Sequence, residues 1–325
     1  MRVVGFLTQK LTLRGTEVAI YDYAHYNETI LGNKSIIMTK EFSENKDLKY
    51  ISEEAYEHFK KRFLVLYYKT DQDIEECIEE YKIDVLYMLK SGLRQHDPFI
   101  TKKCKCCIHA VFDTSDVHGD AFATISPMVN KLHNTNYPIV PHMVTIGNSQ
   151  DNLRQELNIP EDATVFGRYG GNDSFDIYFV LEYIHYKSPP NTYFIFMNTT
   201  WFSGNHNIKY VEATTDLERK RKFINTADAM LHARARGETF GLACAEFALA
   251  NKPVVTCGLS RERNHIDLLG SRALIYFDQQ SLDFILKNIK PLIDIMKLDP
   301  NHNPYDQFSP NHVMQQFHQI FLKDL

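Results

Sequence analysis

The chain has 325 residues, with 36 Lys and Arg against 41 Asp and Glu, a formal net charge of −5 and 44% hydrophobic residues. This is the balance of a folded globular protein long enough for two cores of ordinary size, and it excludes a disordered or fibrous chain. It also excludes a net basic footprint for nucleic acid, so a polyanionic ligand needs a local cluster of positive charge.

From the amino terminus, strand-like and helix-like segments alternate. Residues 2–8 read as a buried strand, 15–31 as a helix with Val18, Ile20, Tyr21 and Ala24 on one stripe, and 35–39 as a strand. Residues 53–62 read as a helix, 63–68 as a buried strand, 73–81 as a helix and 84–89 as a strand, followed by short strands at 106–112 and 121–126. Around Pro138 and Pro141 the pattern changes to an extended crossing segment. The alternation resumes with strand 163–168, helix 174–187, strands 192–198 and 208–212, helix 216–226, strand 229–233, helix 240–250 and strands 253–257 and 273–277. From about Ser281 the tail reads as helical, broken between Pro300 and Pro310.

Two successive βα series predict two parallel-sheet domains, divided here as 1–145, 146–305 and a terminal helix at 306–325. In such open sheets ligands sit beyond the carboxyl ends of the strands, and a cleft between two domains is the default site. No run of eighteen apolar residues predicts a transmembrane helix, and Met1 to Thr8 lacks a signal-peptide cleavage pattern. A soluble cytoplasmic protein is expected, with peripheral membrane contact left open. Cys104, Cys106 and Cys107 have no second pair at zinc-site spacing and read as reduced thiols.

The chemistry concentrates between Leu231 and Glu246, where a strand ends, a charged loop follows and a helix opens near Phe240. On a continuous helix, Glu238 and Glu246 would lie roughly 12 Å apart on nearly the same side. The amides of Thr239 to Leu242 would be free donors suited to phosphate. Taken alone, the glutamate spacing also fits an ordinary first-turn acid and a solvated helix residue. Glu246 departs from that reading, because Ala245, Phe247, Ala248, Leu249 and Ala250 surround it with apolar neighbours and its carboxylate needs a partner.

Glu238-Thr239-Phe240-Gly241-Leu242, then Glu246, then Pro253-Val254-Val255, resembles the signature of retaining glycosyltransferases of the family 4 type. Thr12 to Glu17 resembles that family's glycine loop, Val140 to Val144 its crossing segment, and Phe166-Gly167-Arg168 the Gly-Arg pair that ends a second-domain strand. The resemblance implies an α/β chain of GT-B fold: two Rossmann-like domains facing across a cleft, an acceptor domain first and a nucleotide-sugar domain second, with the terminal helix returning to the first. It implies a nucleoside diphosphate sugar donor, a glycan or glycoconjugate acceptor, no cofactor or metal, and transfer with retention by same-face attack. By the same resemblance Glu246 would take ribose hydroxyls and Glu238 donor-sugar hydroxyls. The amides of Phe240, Gly241 and Leu242 would meet sugar and diphosphate, with Thr239 beside them. Arg168 would neutralise the diphosphate, Gly15 would allow close backbone approach, and His109 would face the donor sugar.

A Lys that the family places shortly after the Gly-Arg pair is missing, since none occurs between Arg168 and Lys187. Arg234 or Arg236 is expected to supply that cation, the plain alternative being two solvated loop arginines. Asp113, Asp116, His118 and Asp120 read as a polar loop without metal geometry. A sugar-nucleotide epimerase and a non-catalytic glycan- or nucleotide-binding protein are the competing readings. A dinucleotide oxidoreductase fits less well, because no Gly-x-Gly-x-x-Gly follows a strand.

Overall fold

The computed structural model describes residues 1–41, 52–296 and 303–323. The chain forms two compact units, one of residues 1–143 with 308–325 and one of residues 144–307.

Unit 1 is built from β1 (Val3–Thr8), α1 (Gly15–Thr29), β2 (Lys34–Lys40), α2 (Glu53–Arg62), β3 (Leu64–Tyr68), α3 (Asp71–Tyr81), β4 (Val85–Lys90), β5 (Lys105–Ala110), β6 (Ala121–Thr124) and α4 (Pro127–His133). Its six strands run parallel in the order β3-β2-β1-β4-β5-β6. A parallel sheet is covered on both faces, which is why β4 is buried at every position. The expectation of a buried strand at 63–68 is corrected: β3 is the sheet edge, and Leu64 and Tyr67 are 43% and 42% exposed. Local signals set several boundaries. Ser52 caps α2, and Thr70 with Asp73 forms a reciprocal capping box at α3.

Unit 2 contains β7 (Thr164–Tyr169), α5 (Tyr178–Tyr186), β8 (Thr192–Met197), β9 (Ile208–Val211), α6 (Leu217–Thr226), β10 (Ala229–His232), β11 (Gly237–Glu238), α7 (Leu242–Leu249), β12 (Val254–Cys257), β13 (Glu262–Arg263), α8 (Asn264–Leu269), β14 (Ala273–Tyr276), α9 (Gln279–Lys287) and α10 (Ile289–Met296). The main sheet, order β14-β12-β10-β7-β8-β9, is again parallel, and β11 pairs with β13 in a separate ribbon. Its core packs Phe166, Phe194, Phe196, Leu231, Val255 and Tyr276. In order of occurrence both sheets read 3-2-1-4-5-6, the Rossmann arrangement, with a reversal between the first and fourth strands.

Two helices start at least two residues later than expected. Residues 174–177 stay out of α5 because their backbone and side chains are tied to neighbouring loops, Asp176 donating its N–H to the Ala233 carbonyl. The helix expected from 240 begins at Leu242, because Gly241 adopts φ +87°. The helices α4 and α8 were not expected, and Pro300, where the tail was expected to break, lies outside the described residues.

The terminal helix α11 (Pro310–Phe317), continued by a π-helical turn over His318–Leu322, belongs to unit 1. Phe317 stacks on Tyr23 at 5.2 Å, and Phe321 meets Tyr87 at 5.4 Å and His109 at 5.3 Å. Among the described residues no helix is long and apolar enough to cross a membrane.

Candidate functional site

In unit 2 the reversal lies between β7 and β10, whose carboxyl ends carry Arg168-Tyr169 and His232. Successive strand residues point to opposite faces, so Arg168 and Tyr169 organise two different neighbourhoods.

On one side Arg168 is 3% exposed. One terminal nitrogen donates to the Asn198 carbonyl and Thr199 Oγ1, the other to the Gly171 carbonyl and Ser174 Oγ at 2.7 Å each. The guanidinium therefore cross-links the loops that follow β7 and β8. Burial lowers its pKa to about 10, an effect that Glu238 opposes. The loop after β10 is tied in turn, since the Ala235 N–H donates to Asp176 Oδ1 at 2.7 Å.

Glu238, on β11, accepts from Arg234 at 2.8 Å and from His232 Nε2 at 3.3 Å. Burial by itself would raise its pKa, but the His232 hydrogen bond and the Arg234 charge outweigh it and hold the carboxyl at about 2. It is an anion at any physiological pH. A carboxylate only accepts, so Nε2 of His232 carries the proton that faces it. Behind it, Thr256 Oγ1 lies 2.9 Å from His232 Nδ1 and 2.9 Å from His265 Nε2. Burial lowers the His265 pKa to about 3, so that ring is neutral. This buried relay fixes the orientation of Glu238 from the strand side, while Arg234 fixes it from the loop side.

Gly241 caps α7 in the left-handed region, and a Cβ there would lie 3.1 Å from both Glu238 Cβ and His265 Cβ. That close approach brings Glu238 against the start of the helix. Arg234 comes with it through the 2.8 Å ion pair to Glu238, and the charges of Glu238, Arg234 and Arg168 all bear on the Cys244 thiol in the first turn of the helix. The amides of Leu242 to Cys244, which open the helix, have no intrahelical acceptor and favour an anion.

Across the sheet end, Glu246 is 4% exposed. Its Oε1 accepts from Lys220 at 2.8 Å and its Oε2 from the Tyr169 hydroxyl. The Lys220 ammonium also sits 5.2 Å from the centre of the Tyr169 ring.

These placements revise several expectations. Glu238 and Glu246 do not share a helix face: Glu238 stands on β11 before the helix, so the repeat of 3.6 residues does not relate them. Thr239 and Phe240 precede the helix and are buried, Phe240 packing edge-on against Tyr305 at 6.2 Å. Arg234 and Arg236 are both ion-paired, Arg236 to the buried Glu262 at 2.6 Å. In unit 1, Gly15 opens α1 without a positive φ. His109, expected to face the donor sugar, lies at the end of β5 with its Nε2 buried and without a hydrogen-bond partner. It is fully buried under Phe321, its Nδ1 is 2.6 Å from the Tyr87 hydroxyl, and burial pulls its pKa to about 3.

Sequence reasoning missed His232 and Lys220. A histidine closing an otherwise apolar strand was a signal for the first. Lys220 lies 26 residues from its partner and gave none. Among the described residues no group of His, Cys, Asp and Glu is arranged to hold a metal ion.

No protein-family profile matches the sequence, and no curated protein matches it. Solved structures do match the fold. Anabaena Alr3699/HepE in complex with UDP-glucose superposes with a TM-score of 0.74 at 13% identity, over 100% of this chain and 100% of that one. A glycosyltransferase from Rickettsia africae ESF-5 gives 0.66 at 12% identity, over 99% and 98%. The lipopolysaccharide outer core galactosyltransferase WaaB gives 0.59 at 12%, over 100% of both chains. The chain has the GT-B fold, built from two Rossmann-like units.

Proposed function

We propose that the chain is a glycosyltransferase of the family 4 type that binds a nucleoside diphosphate sugar on unit 2 and transfers the sugar to a hydroxyl of a glycan or glycoconjugate. The observation that carries this reading is ionised Glu238, paired with Arg234 and packed against the start of α7 at Gly241, on the unit whose strand reversal has Arg168 tying the loops after β7 and β8. A helix start beside two guanidiniums suits a diphosphate, and a fixed carboxylate beside it suits sugar hydroxyls. That HepE was solved with UDP-glucose supports the same ligand class.

In this reading Arg168 holds the loops that receive the diphosphate and adds its charge as the leaving group departs. The amides from Gly241 onward meet the phosphate oxygens, and Arg234 stands in for the lysine that the family pattern would place after Arg168. Glu238 orients the donor sugar, while Glu246, steadied by Lys220 and Tyr169, lies toward the ribose. Transfer proceeds without a metal and with retention, the acceptor hydroxyl attacking from the face the diphosphate leaves. Unit 1 then receives the acceptor, and the protein works in the cytoplasm.

Thermal denaturation with UDP-, GDP- and ADP-sugars tests the reading, because a ligand at 100 times its Kd stabilises the native state by about 2.7 kcal/mol. One donor class is expected to raise Tm and to be consumed only when acceptor is added. Consumption with release of an isomerised sugar and no acceptor would replace transfer by epimerisation, and no shift with any donor would overturn the reading.

A further inference from the structure

Unit 1 has the same strand reversal, between β1 and β4, and the last residue of β4 is Lys90. Its side chain is 8% exposed. The ammonium donates to the Asp97 carbonyl at 2.8 Å and makes no other hydrogen bond or ion pair among the described residues. An ammonium has three N–H donors, so two remain uncommitted on a nearly enclosed cation. Charges of this kind are expensive to bury and are kept where something pairs with them.

The surrounding loops are held in place for each other. Gly92 has φ +112°, and a Cβ there would lie 1.8 Å from the Asp113 carbonyl oxygen, so only glycine lets the chain after β4 touch the chain after β5. The N–H groups of Phe112 and Asp113 both donate to the Ser91 carbonyl at 3.0 Å. Gln9, after β1, donates to the His96 carbonyl at 3.3 Å, and the Arg94 N–H donates to Asp116 Oδ2 at 2.8 Å. The Asp116 carboxylate is thereby engaged with backbone, and the Arg94 side chain is exposed.

His118 completes the set. It is 4% exposed, and its Nδ1 lies 2.6 Å from the Asp116 carbonyl. A carbonyl only accepts, so Nδ1 carries the proton, and Nε2 of the neutral ring is a bare acceptor. That atom is buried and has no protein partner. Hydrogen bonds chain the four residues together: the carbonyl of Asp97, which holds the Lys90 ammonium, belongs to a residue whose N–H donates to the Arg94 carbonyl, the Arg94 N–H donates to the Asp116 carboxylate, and the Asp116 carbonyl holds His118. Asp97 and Asp116 are the carboxylates that bear on Lys90.

We propose that the carboxyl end of β4 is a subsite for an acidic, hydroxylated ligand: Lys90 and Arg94 receive a carboxylate or phosphate, and His118 Nε2 accepts from an adjacent hydroxyl. Resting on the donor assignment to unit 2, this makes the acceptor an anionic glycan or glycoconjugate, carrying a uronic acid or a phosphate. Both sources present oxygen anions to Lys90, and of the two probes below only glucuronate, unlike inorganic phosphate, carries ring hydroxyls for His118.

The test is calorimetric titration of the full chain with sodium glucuronate, inorganic phosphate and glucose, with amide NMR shifts recorded alongside. Glucuronate or phosphate is expected to bind wild type and glucose is not, with shifts at residues 91–94 and 116–118. Lys90→Met is expected to lose about tenfold or more in anion affinity, and Lys90→Arg to keep most of it. His118→Ala is expected to weaken glucuronate and spare phosphate. Anion binding with unshifted amides at those positions, equal binding by Lys90→Met, glucose binding as well as glucuronate, or no anion binding would each overturn the proposal. The shifts are read on wild type, so the outcome stands even where a variant folds poorly. Failure of the donor assignment is read separately, as absence of stabilisation by any nucleotide sugar.

Discussion

The two units share one strand order and differ in what they place at the same topological position. Unit 2 closes its reversal with charges already matched: Arg168 on four loop acceptors, Arg234 on Glu238, Lys220 on Glu246. Unit 1 closes its own with Lys90 and His118 only partly satisfied, and buries another histidine, His109, against Phe321. The fold therefore supplies the same strand reversal in each unit, and the side chains at the strand ends give each its own chemistry. In a matched set the side chains hold one another in place, whereas an unmatched one leaves donors and acceptors uncommitted.

The contrast can be attacked from either side, and the strongest blow falls on unit 1. Phe321→Ala removes a fully buried ring from the cluster with Tyr87, His109 and Phe317, and is expected to cost about 3–5 kcal/mol in denaturant titration. A loss under about 1 kcal/mol would mean that the terminal helix is dispensable to unit 1.

In unit 2, Lys220→Met leaves the Glu246 carboxylate buried with only the Tyr169 hydroxyl, and a loss of about 3 kcal/mol is expected. If Tm is unchanged, the pair is not part of a matched set.

Glu238→Gln retains shape but removes the charge that Arg234 and His232 face, and kcat/KM is expected to fall about 100-fold. The same residue gives a pH signature. Its folded pKa, about 2, is below the ordinary 4.5, so its stabilisation is fully present above pH 4.5 and is lost as pH falls toward 2, by on the order of 3 kcal/mol. Wild type should therefore lose stability faster than Glu238→Gln over that window in acid titrations, and parallel curves would contradict the assignment.

The smallest effect separates the two loop arginines. Arg234→Ala is expected to raise the donor KM about tenfold, and Arg236→Ala, whose partner Glu262 lies on the β13 ribbon, to raise it less. Unchanged KM and kcat in both would show that neither replaces the missing lysine.

Much of the architecture was legible because it rests on local signals. Alternating apolar runs and amphipathic stripes gave most elements to within a few residues, and the stretch from Glu238 to Val255 that the family resemblance singled out falls on β11, α7 and β12 of unit 2. The carboxylate of Glu246 betrayed its need for a partner through its apolar neighbours alone. Other features depend on distance along the chain. The exposure of β3 follows from its position at the sheet edge, which its apolar composition does not announce. The delay of α7 to Leu242 follows from one positive φ at Gly241. The pairing of Lys220 with Glu246 joins two helices, and the burial of His109 is imposed by a segment more than 200 residues later.

Hydrophobic period, capping residues and the order of strands and helices are short-range properties, so the amino-acid sequence settled the two Rossmann-like units. Which charge meets which, and which is left unmatched, depends on side chains brought together by sheet order. Desolvation and Coulomb energy act through space, with no regard to separation in the chain, and for that reason the ionisation of Glu238 and the burial of Lys90 with a single acceptor were decided only by the tertiary structure.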